Sequence, residues 1–357
     1  SAASDVYKRQ DNIMSFKQRT FKYWIHIYSY NVRLILPIKR NLKNDIVSNV
    51  ILLLLSPWIL GYYLFCVVYE KIYAISSINK LMKQDLQKMF EHELAICSIS
   101  KNEGPYIKEW LEFHRLIGIS KFYFYDNEST DNTMDILEPY IKCGLVEYHL
   151  IKGVGKQLTA YNEVLRKHRY DARYIAFIDM DEYIVPESPY MKISELVTHL
   201  INLYGQGAAG IGINWAIFGS AGKTERTMGT ITGTYTQRAE MDYWGNKHIK
   251  SLVNPRFVTY YISPHYPSFR LGAYNISVIG ERLIGWATSI VSFNNIRINH
   301  YYTKSYEDFC VKKSRGLGDR LGRYDDEQFY RYDRNEVDDN SMQVYQDMLE
   351  KQLNSYV

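Results

Sequence analysis

The residues best suited to chemistry are Asp179-Met180-Asp181-Glu182, which follow directly on the apolar run Tyr174–Ile178. Two carboxylates at i and i+2, where a strand gives way to a turn, can converge on one hard cation. Mg²⁺ or Mn²⁺ takes oxygen ligands and shares them with a diphosphate. A cation so placed acts as a Lewis acid on a departing nucleotide diphosphate. A D-x-D pair alone is a weak signal. Its weight comes from the elements that must hold it.

Those elements alternate. Leu94–Ile99, Lys121–Tyr125, Leu145–Ile151 and Tyr174–Ile178 read as strands. Between them Pro105–Ile117, Thr130–Ile141 and Lys156–His168 read as helices. Strand–helix alternation with short connections predicts an α/β fold, doubly wound, with a mostly parallel central sheet and helices on both faces. Ligands in such sheets bind beyond the carboxyl ends of the strands. That rule selects Ser100–Glu103, Asp126–Asp131 and Asp179–Glu182, all polar and acidic. Neither G-x-G-x-x-G nor a P-loop occupies the first turn, which argues against a dinucleotide or P-loop phosphate site. Further on, Ile193–Tyr204 predicts a helix and Ala208–Trp215 a strand. Residues 216–300 look strand-rich and irregular, and 304–318 and 341–354 predict helices.

From Leu94 to about Gly316 the chain resembles the GT-A glycosyltransferases, and within them the glycosyltransferase family 92-like and family 2-like group. The blocks that carry the resemblance are ICSISKNEGPYIKEWLEFHRLIGISKFYFYDNESTDNT, AFIDMDEYI, NWAIFGSAG, HIKSLVNP, NHYYTKSYEDF and KKSRG. The resemblance implies an inverting, metal-dependent enzyme using a nucleotide-diphosphate sugar, a uridine diphosphate sugar by preference, and Mn²⁺ or Mg²⁺. It implies donor contacts from Ser100, Asn102, Glu103, Asp126, Asn127, Ser129, Gln157, Tyr161, Asp179 and Lys304. Asn162 lies in the same approaching helix as Gln157 and Tyr161. Asp179 and Asp181 would hold the metal, with His265 as a third ligand. His300, Lys304, Lys312, Lys313 and Arg315 would gather around the diphosphate. Trp110 and His114, four apart on one helical face, read as core. Asp126 and Asp131 double as helix-start residues.

Inversion needs a carboxylate that deprotonates the acceptor hydroxyl. Glu225, Glu240 and Asp242 are candidates, with Asp242 and Glu240 the catalytic assignment, because Tyr243 and Trp244 beside Asp242 form an apolar platform for a sugar ring. Glu182 reads as a supporting residue. The family's Gly-Ser-Ser-Gly-His turn is here Gly219-Ser220-Ala221-Gly222-Lys223, which bears on the acceptor. A glycan, glycolipid or polysaccharide is the expected acceptor class. The competing readings are a sugar-nucleotide nucleotidyltransferase, which lacks its basic Gly-rich loop here, and a membrane-tethered, inactive carbohydrate-binding scaffold.

The amino-terminal quarter is of another kind. Ile46–Tyr69 carries no charge, and ~20 apolar residues span the ~30 Å hydrocarbon core. Ser56-Pro57 in mid-run favours a kink. The expectation for residues 46–70 is a transmembrane or re-entrant helix. A basic, aromatic arm (1–45) precedes it, of which 1–13 read as non-native and Met14 as a natural start. A linker helix (71–92), the GT-A domain (93–320) and a helical tail (321–357) follow. Basic and aromatic side chains in the arm suit an anionic membrane surface. The catalytic domain is expected on the cytoplasmic side, the alternative being a type II arrangement with a lumenal domain. A net charge of +4 over 357 residues is no nucleic-acid signature. Cys66, Cys97, Cys143 and Cys310 show neither metal-ligand spacing nor a disulfide framework.

Overall fold

The computed structural model describes residues 45–69, 74–205, 207–316, 318, 322 and 324–355. The basic arm of residues 1–44 lies outside them. The apolar stretch forms two helices, α1 (Asp45–Leu54) and α2 (Ser56–Tyr69), joined at Leu55. Pro57 has no N–H to give and its ring crowds the carbonyl four residues back, so the spiral breaks there. Among the described residues no helix is long and apolar enough to cross a membrane. The longer of the two, at 14 residues, reaches ~21 Å against a ~30 Å core. Of the transmembrane or re-entrant helix expected over 46–70, the single spanning form is therefore not what the described residues make.

Beyond α3 (Ile75–Leu86) the predicted alternation is met. It runs β1 (His92–Ser100), α4 (Gly104–Leu116), β2 (Lys121–Asp126), α5 (Thr133–Lys142), β3 (Val146–Leu150), α6 (Gln157–His168) and β4 (Ala172–Phe177). The order β4-β1-β2-β3 is parallel throughout. The register sets Ser100 beside Asp126, so the polar carboxyl ends share one edge. Period two divides each strand between faces. Leu94 and Ile96 pack in a core with Trp110, Phe113 and Leu137, whereas Ala95 and Cys97 pack with Tyr161, Val164 and Leu165. The sheet is thus covered on both sides, as buried parallel strands require.

The second half is less regular. It contains β5 (Glu182–Pro186), α7 (Ile193–Tyr204), β6 (Ala208–Ile217), α8 (Ile231–Thr234), β7 (Gln237–Arg238), β8 (Ile249–Val253) and β9 (Val258–Tyr261). Then follow β10 (Pro267–Phe269), β11 (Tyr274–Ser277), β12 (Arg282–Leu283), β13 (Ile296–His300), α9 (Tyr306–Arg315), α10 (Asp326–Tyr332), β14 (Val337–Asp338) and α11 (Gln343–Ser355). β8 enters antiparallel between β4 and β6, so the sheet is mixed rather than uniformly wound. β13 pairs parallel with β6 and antiparallel with β5.

His114 locks α4 to β5, the strand that leaves the acidic turn. Its Nδ1 donates to the Trp110 carbonyl at 2.8 Å, and its Nε2 accepts from the Ile184 N–H at 3.2 Å. Burial lowers its pKa to about 3. The unfolded chain would protonate it near 6.5. Below that value the unfolded state takes up a proton that the folded state refuses, so stability falls as pH drops from about 6.5 towards 3. His114→Gln is expected to flatten this part of the stability–pH curve in urea titrations; an unchanged slope would contradict the assignment.

Candidate active site

The carboxyl ends of β1 and β4 meet the start of β8, the end of β13 and helices α9 and α10 around a cavity of about 320 Å³. Asp179 and Asp181 both line it. Asp179 Oδ1 accepts from Gln157 Nε2 at 2.5 Å and Tyr161 Oη at 3.4 Å, and Oδ2 from Lys250 Nζ at 2.8 Å. Its side chain keeps 34% exposure. Asp181 is buried; Lys312 Nζ lies 2.6 Å from Oδ2 and His300 Nε2 3.5 Å from Oδ1. Burial works against ionisation of Asp181, but Lys312 and His300 outweigh it and hold the carboxyl well below its ordinary value.

Glu182 behaves in the opposite way. It is fully buried, with Lys250 at 3.5 Å, and its Oε2 accepts from the Asp179 N–H at 2.9 Å. Burial first, and then the charges of Asp179 and Asp181, push its pKa well up, with Lys250 opposing. Its Oε1 has no hydrogen-bond partner. Burial beside two neighbouring carboxylates is what sets Glu182 apart from Asp181.

Of the expected donor residues, Ser100, Glu103, Asn127, Gln157 and Asp179 line the cavity. Tyr161 stands behind it, against Asp179. Glu103 is gripped by Arg315 at 2.6 Å and Lys304 at 3.4 Å. Lys304 lies over the Tyr106 ring instead of facing the cavity. Asn102, Asp126 and Ser129 do not line it either. They stitch the first two strand ends together. The Asn102 N–H donates to Ser129 Oγ, the Thr130 N–H to Asn102 Oδ1, and the Ser129 N–H to Asp126 Oδ1. Tyr148 Oη holds the other Asp126 oxygen at 2.9 Å. These three polar residues are spent on loop geometry, with Asn102 at φ +53°. Asn162 pairs with the backbone of Tyr261.

His265, His300, Lys312 and Arg315 line the cavity as expected, while Lys313 pairs outside it with Asp326. His265 Nδ1 donates to the Ile249 carbonyl at 3.0 Å, which leaves Nε2 as a lone-pair donor. Burial first, then Lys250, push its pKa well down and keep it neutral. Asp242, Glu240 and Glu225 are exposed and do not line the cavity. Asp242 instead precedes Trp244, whose ring meets His248 and Tyr332 of the cavity wall. Sequence reasoning gave no role to Lys250, nor to the aromatic wall of Trp215, Tyr302, Tyr324 and Tyr332. Tyr302 and Tyr324 both lie against the Lys312 ammonium.

The donor set is of the right type for Mn²⁺ or Mg²⁺: two carboxylates with a neutral imidazole at hand. Asp181 Oδ1 faces only His300, at 3.5 Å, and so retains a free lone pair. Lys250 and Lys312 sit on the remaining oxygens and would share them with a bound cation.

The profile described as Glycosyltransferase family 92 matches residues 92–351. Curated relatives include a glycosyltransferase family 92 protein of Ricinus communis, RCOM_0530710. It is 27% identical over 46% of this chain and 29% of its own length. The family 92 protein At1g27200 of Arabidopsis thaliana is 23% identical over 68% of this chain and 40% of its own. A third, galactan beta-1,4-galactosyltransferase GALS2 of Arabidopsis thaliana, is 28% identical over 29% and 22%. The chain spans less than half the length of these relatives. Among solved structures, S. aureus TarS 1-349 in complex with UDP-GlcNAc is 15% identical, covering 46% of each chain with a TM-score of 0.32. A likeness of that size carries no argument; the fold rests on its own strand order and the family on the profile. With that profile running from the first strand of the sheet into the last helix, the chain belongs to glycosyltransferase family 92.

Proposed function

We propose that this chain transfers a sugar from a uridine diphosphate sugar to a hydroxyl of a glycan, glycolipid or polysaccharide, with inversion, and with Mn²⁺ or Mg²⁺ held by Asp179 and Asp181. The observation that carries the reading is the meeting of both carboxylates with Lys312 in one cavity at the carboxyl edge of the sheet, with Lys250 buried behind Asp179. A bound cation would neutralise charge on the leaving diphosphate. The Lys312 ammonium adds to this, since a charge already fixed in the site needs no reorganisation as the leaving group departs. Gln157 and Tyr161 keep Asp179 in place. The aromatic wall offers flat apolar faces to a sugar or base. Asp242, with Glu240 near it, is the proposed base; the same segment carries Trp244.

Family membership and donor types favour the metal-dependent form. The short Lys312–Asp181 contact favours a second reading, in which the cavity's own lysines, Lys101 and Lys312, are themselves the cations that meet the diphosphate. Titration calorimetry with uridine diphosphate separates them. Tight binding that needs Mn²⁺ and is lost in chelator supports the metal reading. Equal binding in chelator supports the lysines, and no binding under either condition overturns the donor assignment. The exposed Trp58, Leu60, Leu64 and Phe65 of α2 support membrane association through residues 46–70, with the catalytic domain cytoplasmic or, alternatively, lumenal. Failure of the full chain to float with anionic vesicles would count against it.

A further inference from the structure

The free edge of the sheet carries a second cluster, away from the cavity. Glu147 and His149 stand two apart on β3, on the same face. His168, the last residue of α6, comes up beside them. One ligand atom from each lies within 4.8 Å of the other two. Glu147 Oε1 accepts from His149 Nε2 at 3.0 Å and lies 3.2 Å from His168 Nε2; a metal bound between them would displace the His149 proton. Bonds of ~2.0–2.1 Å to a tetrahedral zinc ion place neighbouring ligand atoms roughly 3.3 Å apart.

Three further features favour a metal over a plain polar cluster. His168 Nδ1 lies 2.8 Å from Asp171 Oδ2, and a carboxylate only accepts, so that nitrogen carries the proton. Its Nε2 is left facing Glu147 at 3.2 Å, with Asp171 fixing the ring from the other side. This is the carboxylate–histidine pairing that fixes metal-ligating imidazoles. Second, Nε2 of His168 is buried and makes no hydrogen bond, although Glu147 is near. Third, both rings are held by stacking, His168 on Tyr123 at 4.3 Å and His149 on Tyr125 at 4.7 Å.

We propose that Glu147, His149 and His168 bind a divalent transition metal, zinc by donor type, with water in the fourth position and Asp171 orienting His168. The ion would staple the edge strand β3 to the end of α6. The first residue of α6 is Gln157, which holds Asp179, so the staple would brace the element that positions the acidic turn. The proposal does not depend on the glycosyltransferase reading.

Cobalt substitution of the full chain tests it. Four-coordinate Co²⁺ on two imidazoles and a carboxylate absorbs strongly in the visible, whereas an oxygen-rich six-coordinate site at Asp179 and Asp181 absorbs weakly. One equivalent of Co²⁺ should give strong bands that one equivalent of Zn²⁺ removes. His149→Ala and His168→Ala should abolish the bands. Asp171→Asn should keep them and weaken binding by about 10–100-fold, the usual effect of losing such an orienting partner. Should either histidine variant fail to fold by circular dichroism, Glu147→Gln decides, because it keeps the shape and removes the anionic ligand. Absence of strong bands in the parent chain, or bands that survive all of these ligand substitutions, overturns the proposal.

Discussion

Asp181→Asn is expected to lower sugar transfer by at least about a hundredfold, the range seen when a fixed electrostatic contributor to a transition state is removed. Asp181 is the buried member of the pair, and it stays ionised because Lys312 at 2.6 Å and His300 at 3.5 Å overcome the penalty of burial. An amide cannot hold a hard cation as a carboxylate does, nor can it balance the Lys312 ammonium. The loss should fall on kcat/KM for a labelled uridine diphosphate sugar, with near-native far-ultraviolet circular dichroism. Turnover within a few-fold of the parent chain would remove Asp181 from the machinery. Uridine diphosphate affinity measured beside it shows whether the loss arises in binding or in the chemical step.

The second large effect concerns folding. Arg256 and Asp85 are both buried, and Arg256 Nε lies 2.8 Å from Asp85 Oδ1 and 2.9 Å from Oδ2. The same guanidinium donates to the carbonyls of Arg169, Ala172 and Arg173 and sits 4.0 Å above the Phe90 ring. Asn254 Nδ2 donates to Asp85 Oδ2 at 2.7 Å. One carboxylate therefore joins α3 to the entry of β4 and to the turn after β8. Asp85→Ala leaves a buried cation uncompensated, a change that costs about 3–5 kcal/mol. Urea unfolding of the full chain reads this directly, and a loss below about 1 kcal/mol would show that the pair is dispensable.

The parallel half of the sheet was legible because its signals are local. Short apolar runs, helical spacing and polar strand ends lie within a few residues of each other, and the rule on ligand position then singled out the acidic turn. The irregular half was not legible in the same way. β5 hides in Glu182–Pro186, directly behind the acidic residues, where a turn was the obvious reading. Lys250 lies 71 residues from Asp179 in sequence and reaches it only because β8 enters antiparallel beside β4. No periodicity announces that contact. Asn102, Asp126 and Ser129 show the converse case. Their residue types suit a ligand, but the same donors and acceptors are used to tie two loops together. Asp242 and Glu240 were chosen for their aromatic neighbours. The aromatic part of that reasoning places Trp244 against the cavity wall, while the carboxylates themselves remain in solvent.

The lysine–aspartate contacts have a thermodynamic consequence. Lys101, Lys312 and Arg315 line the cavity with Glu103, Asp179 and Asp181, so the pocket is nearly self-neutralised before any ligand arrives. An incoming anion is neither drawn strongly from afar nor repelled at the mouth. It gains its hold by exchange, taking the ammonium groups as its own counter-ions and freeing the aspartates for another cation. Affinity at such a site is a trade of partners, and the protein has met the desolvation cost of the buried Asp181 already, during folding.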